Sequence, residues 1–185
     1  MLRIRLGLAK LRAVALPTLH GEQVTLRQVA DADIDALVAF IDEPGVNEWW
    51  GPDRTPEYRR WEVGGESFAI ETRDGELCGW LGFEEETDPG YRSVALDVFI
   101  ADAHQSRGLG PDALRAAMRW FVAERGHHRF SIDPAVTNER AIRAYASVGF
   151  EPVGVTRKSE LGRDGEWRDN LLMDLLVEER PELAP

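Results

Sequence analysis

One cysteine, Cys78, stands alone in 185 residues. The chain can therefore form no internal disulfide and no multi-cysteine zinc site. No apolar run approaches the roughly 20 residues of a membrane-spanning helix. His104, His127 and His128 lack metal-ligand spacing, so no metal cofactor is expected, and the Gly-Lys-Ser/Thr of a phosphate-binding P-loop is missing. Positive charge is also scarce, with 22 Lys and Arg against 33 Asp and Glu, a formal charge of −11. Arg3, Arg5, Lys10 and Arg12 fall in a stretch without acids, so all 33 acidic residues face only 18 of the basic ones in the remaining body. Such a surface disfavours nucleic acid and attracts a cationic ligand.

What is present describes a soluble globular domain: 43% hydrophobic and 30% charged residues. Residues 1–18 read as a basic and apolar extension ahead of one domain over residues 19–185. Charges interrupt MLRIRLGLAKLRAVAL too often for a secretory h-region, which predicts a cytoplasmic protein. The extension suits a mobile arm or an oligomer contact, and both monomer and homodimer remain open.

From Val24 the pattern is strand, helices, then a run of strands. Val24 to Val29 alternates as a strand. Asp31 is expected to cap a helix carrying Ile34, Leu37, Val38 and Ile41 on one face, ended by Pro44-Gly45. Short helices are expected around Glu48-Trp49-Trp50-Gly51 and from Pro56 to Val63. Ser67–Thr72 and Leu77–Glu85 read as a hairpin about Asp74-Gly75, and Val94–Ala101 as the next strand. A helix is predicted from Pro111 to Glu124, a strand from Arg129 to Asp133, and a helix from Asn138 to Val148. Final strands are predicted over about 151–157 and 167–176. The fold class is α+β, one mixed, mostly antiparallel sheet flanked by helices.

Gln105-Ser106-Arg107-Gly108-Leu109-Gly110 joins an apolar strand to a helix. A glycine-rich turn of this kind points backbone N–H groups into one concavity, and the helix dipole adds about half a positive charge. A pyrophosphate can be held there without a lysine. The segment resembles the Gln/Arg-x-x-Gly-x-Gly/Ala acyl-CoA loop of the GNAT N-acetyltransferases. Asn138-Glu139-Arg140-Ala141-Ile142-Arg143-Ala144-Tyr145, followed by Val148-Gly149-Phe150, resembles their second signature. Glu48 to Gly51, Glu84 to Gly90 and Asp133 to Phe150 are similar, more narrowly, to the aminoglycoside 6′-N-acetyltransferases.

The resemblance implies a GNAT fold, acetyl-CoA as cosubstrate and a polycationic aminoglycoside as acceptor, with inactivation of the antibiotic as the outcome. It implies that Asp97 holds the substrate ammonium and accepts its proton, a step acyl transfer needs because an ammonium has no lone pair. Read alone, Asp97 is a carboxylate in an apolar strand, which must be paired, solvated in a cleft, or functional. Asp133, otherwise a turn residue before Pro134, becomes a second anion for the acceptor. Tyr145, otherwise core, becomes the proton donor to the departing thiolate. Asn138 reads equally as a helix cap and a CoA contact. Gln105, Ser106, Arg107, Gly108, Leu109 and Gly110 would hold the cosubstrate, with a backbone N–H near Phe99 or Ile100 for the oxyanion. One of Trp49 and Trp50 is core, and the other, assigned as Trp49, walls the sugar pocket. Glu84, Glu85, Glu86 and Asp88 form a solvated hairpin tip or guard the pocket. Two other readings stay open: a GNAT acting on a protein N-terminus, ribosomal protein or polyamine, and a CoA-binding module without catalysis.

Overall fold

Alternating apolar residues in successive segments build one sheet of eight strands in a computed structural model that describes residues 15–51 and 54–183. The strands are β1 (Leu19–His20), β2 (Val24–Gln28), β3 (Ser67–Thr72), β4 (Leu77–Glu86), β5 (Ser93–Ile100), β6 (Arg129–Ile132), β7 (Glu151–Leu161) and β8 (Trp167–Leu176). They lie in the order β1-β2-β3-β4-β5-β6-β8-β7. Every pairing is antiparallel except β5 with β6, which is parallel and confined to Val94↔Phe130 and Ala95↔Ser131. Beyond Ala95 the two strands part, and β5 continues to Ile100 without a strand neighbour on that side.

Helices cover both faces. On one lie α1 (Ile34–Ile41), α2 (Pro44–Asn47) and α3 (Pro56–Val63), whose Leu37, Ile41, Val46 and Val63 pack on Trp80 and Phe99. On the other lie α4 (Leu109–Arg125) and α5 (Glu139–Val148). There Leu114, Met118 and Phe121 join Leu26, Phe68, Leu81, Leu96 and Phe130 in the larger core. The α+β architecture is thus the expected one. Residues 1–14 of the predicted extension lie outside the described residues; Leu16, within it, is buried and donates its N–H to Gln28 Oε1 at 3.0 Å.

Element ends differ from expectation for local reasons. A 3-10 turn at Asp31–Asp33 precedes α1, because Arg27 grips the Asp33 carboxylate through both terminal nitrogens (2.6 and 2.9 Å) while Ala30 N–H donates to it at 2.8 Å. Pro44 opens α2 instead of merely ending α1, since proline is pre-shaped for a first helical position. The fourth helix starts at Leu109, two residues before Pro111. Proline is tolerated there because first-turn N–H groups have no intrahelical acceptor. Strand β7 runs to Leu161, past the predicted end near 157, through a register shift between Thr156 and Glu160.

Candidate active site

The parting of β5 from β6 leaves a cleft of about 330 Å³ between the N-terminal ends of α4 and α5. Its floor is Val98, Phe99 and Ile100; its sides are Gln105, Ser106 and Gly108 to Pro111, Asn138 to Tyr145 in part, and Gly45 to Trp50 in part. No aspartate or glutamate is among the lining residues, and Arg140 is the one arginine. In a chain of charge −11, that is a site built for an anion.

The loop before α4 supplies the donors. Ser106 (φ +60°) and Gly108 (φ +79°) are both left-handed, a backbone form that turns consecutive N–H groups toward one point. Gln105 braces the loop by donating from Nε2 to Ile100 O and to Asp102 Oδ1, each at 3.0 Å. Arg107 does not line the cleft. Its Nη1 donates to His104 Nδ1 at 3.1 Å, which leaves the imidazole proton on Nε2, facing Glu76 at 3.4 Å. Asn138 Oδ1 caps α5 by accepting from Ala141 N–H at 3.0 Å, and the same residue lines the cleft.

Strand β5 offers its backbone to the same space. Ala101 N–H donates to Cys78 O, so in this antiparallel ladder Phe99 and Asp97 also turn their backbone groups to β4, while Val98 and Ile100 turn theirs toward the opening. Of the two positions expected to stabilise an oxyanion, Ile100 has its N–H on the cleft side and Phe99 does not. Phe99 contributes its ring, stacked on Trp80 at 5.7 Å and met edge-on by Trp50 at 4.9 Å. Trp50 is therefore the tryptophan tied to the core, although it and Trp49 both line the cleft.

Carboxylates gather beside the cleft, outside its lining. Asp97 is half-buried on the Phe99 face of β5, and Asp133 is exposed just past β6. Both act on Tyr145: burial, then the charges of Asp97 and Asp133, push its phenol well above its ordinary range, so it stays protonated. Asn170, 4% exposed, donates from Nδ2 to Asp133 O at 2.9 Å and to Glu160 Oε2 at 3.2 Å. Those two acceptors define the orientation of the amide, and its Oδ1 is buried without a hydrogen-bond partner. A side chain at Gly51 would come within 3.3 Å of Glu160 Oε1, so Glu160 lies beside Gly51 as well as against Asn170. The β7–β8 hairpin is held there by Arg168, which donates to Glu48 O at 2.7 Å.

Glu85 belongs elsewhere. It binds Arg125 (2.5 Å) and His127 (2.6 Å) and pairs with Val94, at the end of β5 remote from the cleft, and none of Glu84, Glu85, Glu86 and Asp88 lines that cleft. Cys78 is buried, and burial pushes its thiol up to about 11, as suits a core residue.

The pattern of the acetyltransferase (GNAT) domain matches residues 23–151, a span that includes the loop, the cleft and α5. The chain is a GNAT acetyltransferase. It is 31% identical over 172 residues to the aminoglycoside N(6')-acetyltransferase type 1 of Klebsiella pneumoniae, covering 81% of this chain and 83% of that one. It is also 31% identical over 110 residues to the [ribosomal protein uS5]-alanine N-acetyltransferase of Escherichia coli, covering 60% and 55%. Mycobacterium smegmatis RimJ in complex with CoA-disulfide has the same fold, with a TM-score of 0.78 at 23% identity over 89% of this chain and 90% of that one.

As a GNAT enzyme it is an acetyl-CoA-dependent N-acetyltransferase. Among the described residues no cluster of His, Cys, Asp or Glu is arranged to hold a metal, and no helix is long and apolar enough to cross a membrane. Sequence reasoning missed Val98, Arg140, Glu160 and Asn170. Arg140 lies inside the quoted α5 motif, so a signal existed for it. Glu160 and Asn170 are brought against the Asp133 turn by hairpin pairing and carry no local signature.

Proposed function

We propose that this enzyme moves the acetyl group of acetyl-CoA onto the 6′-amine of an aminoglycoside. The observation that carries the reading is the likeness to the Klebsiella pneumoniae enzyme, which spans most of the chain. The likeness to the ribosomal-protein enzyme covers a shorter stretch. Segregated charge supports it: a carboxylate-free cleft for an anionic cosubstrate opens beside Asp97, Asp133 and Glu160, a suitable end for a polycation.

Acetyl-CoA supplies the activated thioester. Gln105, Ser106, Gly108, Leu109, Gly110 and Asn138 would hold it, with the N–H groups of the loop on its diphosphate. Asp97 draws the acceptor ammonium in and takes its proton, directly or through one water, which frees the lone pair that forms the C–N bond. Ile100 N–H faces the carbonyl oxygen as negative charge grows there. Tyr145 donates a hydrogen bond to the sulfur as the C–S bond breaks. Its raised pKa keeps that donor present at every working pH but makes full ionisation unfavourable, so it eases the departure and does not govern it. Asp133 and Glu160 bracket further amines, and Trp49 walls the sugar. Holding the acceptor at several points is the entropic share of catalysis.

The kinship to the ribosomal-protein enzyme supports a second reading, a protein N-terminal amine as acceptor. Release of CoA thiol from acetyl-CoA, measured side by side with kanamycin, tobramycin, spermidine and a short peptide amine, separates the readings. Turnover confined to the aminoglycosides is expected, with the modified amine then mapped by NMR. Turnover with the peptide or spermidine alone would overturn the aminoglycoside assignment.

A further inference from the structure

We propose that Arg140 is the cationic ligand of the acetyl-CoA diphosphate, and that engaging it releases α2. Arg140 is exposed in the first turn of α5. Its Nη1 donates to Gln105 Oε1, and its Nη2 donates to Gly45 O at 3.0 Å. Both partners are neutral. The neighbouring arginines are otherwise engaged: Arg143 pairs with Glu139 at 3.0 Å, and Arg107 points to His104. Arg140 is thus a guanidinium at the wall of the cleft, resting on the first residue of the N–H-rich loop, with Glu48 and Glu139 in the shallower pocket on its outer side. A phosphate oxyanion makes shorter and stronger hydrogen bonds with a guanidinium than an amide carbonyl does, so an arriving diphosphate outcompetes both present partners.

The second consequence follows from Gly45. Arg140 Nη2 holds its carbonyl, and Asp102 Oδ2 accepts its N–H at 3.0 Å. These two bonds tie the short helix α2, and the Trp49-Trp50 segment after it, to the cosubstrate loop. Transfer of Arg140 to phosphate removes one of them. The first turn of α2 is then loosened once the cosubstrate is in place, while Asp102 and Arg168 still hold Gly45 and Glu48.

The test is calorimetric titration of CoA and of 3′-dephospho-CoA into the wild-type chain, Arg140→Ala, Arg140→Lys and Arg143→Ala, each checked by thermal melt. Arg140→Ala should weaken both ligands by the same factor, roughly 10-fold or more. Arg140→Lys, which keeps charge but not the planar fork, should lose less, and Arg143→Ala should bind as wild type. Hydrogen exchange over residues 44–50 should quicken when CoA binds the wild type and be fast already in Arg140→Ala. Unchanged CoA affinity in a folded Arg140→Ala would overturn the proposal, as would an equal loss in Arg143→Ala. A loss seen with CoA but not with dephospho-CoA would move Arg140 to the 3′-phosphate and overturn the diphosphate assignment. Exchange over 44–50 that stays the same or slows on CoA binding would overturn the release of α2.

Discussion

Asp112, buried in the first turn of α4, places its carboxylate where a side chain at Gly21 would have to be: a Cβ there would lie 2.7 Å from Asp112 Cγ. The space is needed because the carboxylate accepts three backbone N–H groups in a row, from Glu22 (3.0 Å), Gln23 (2.7 Å) and Val24 (3.1 Å). The turn into β2 is thereby fastened to the helix that begins at the cosubstrate loop. Asp112→Ala strands those N–H groups and should lower stability by about 3 kcal/mol. For a chain of this size that is a fall in Tm of roughly 6–12 °C, read by calorimetry. Gly21→Ala should act in the same direction. A melt within a degree of wild type would show that the three groups find other partners.

Asp97→Asn preserves shape and removes the carboxylate proposed as the base. Turnover with the preferred amine should fall by roughly 10²–10⁴-fold, while the calorimetric Kd for acetyl-CoA holds, because Asp97 lies outside the cleft lining. Equal turnover in the variant would remove Asp97 from the mechanism.

Tyr145→Phe should slow turnover by about 10-fold without loss of acetyl-CoA affinity, since a thiolate is already a tolerable leaving group near neutral pH. The same phenol leaves a mark on stability. Its folded pKa lies above the ordinary 10.0 because of burial and the charges of Asp97 and Asp133. The folded state therefore retains the proton longer, and the stability this contributes is complete below about pH 10 and declines as the pH rises toward the folded value. Urea midpoints taken between about pH 9 and pH 11 should fall more in the wild type than in Tyr145→Phe. Parallel curves would mean that the phenol titrates alike in both states.

Glu160→Gln keeps a hydrogen-bond acceptor for Asn170 and removes one negative charge. KM for a polycationic acceptor should rise roughly 5- to 10-fold with kcat little changed, and the rise should shrink with added salt. A loss confined to kcat would instead place Glu160 in the chemical step.

How much of this was legible can be argued residue by residue. The loop from Gln105 to Gly110 and the Asn138 cap were visible because their chemistry is local: consecutive backbone groups and a three-residue reach to Ala141. The alternation of β5 separated Val94 and Leu96 from Asp97 and Phe99 because strand side chains change face at every residue, and the two cores observed follow that division. The choice between Trp49 and Trp50 was not legible. It turns on Phe99 and Trp80, which meet Trp50 edge-on from strands far along the chain.

Composition and local pattern were thus sufficient for the α+β class, the glycine-rich turn before α4, the acidic body and the family resemblance, since each depends on neighbours within a few residues. The surroundings of Asp133 and of the Gly45–Trp50 segment depended on folding in space. Arg140 meets Gly45 across 95 residues, Arg168 meets Glu48 across 120, and Asn170 joins Glu160 to Asp133 through strand register. Hydrogen bonds of that kind are set by how the sheet closes and where β5 leaves β6, a property of the packed core that no stretch of the chain carries alone.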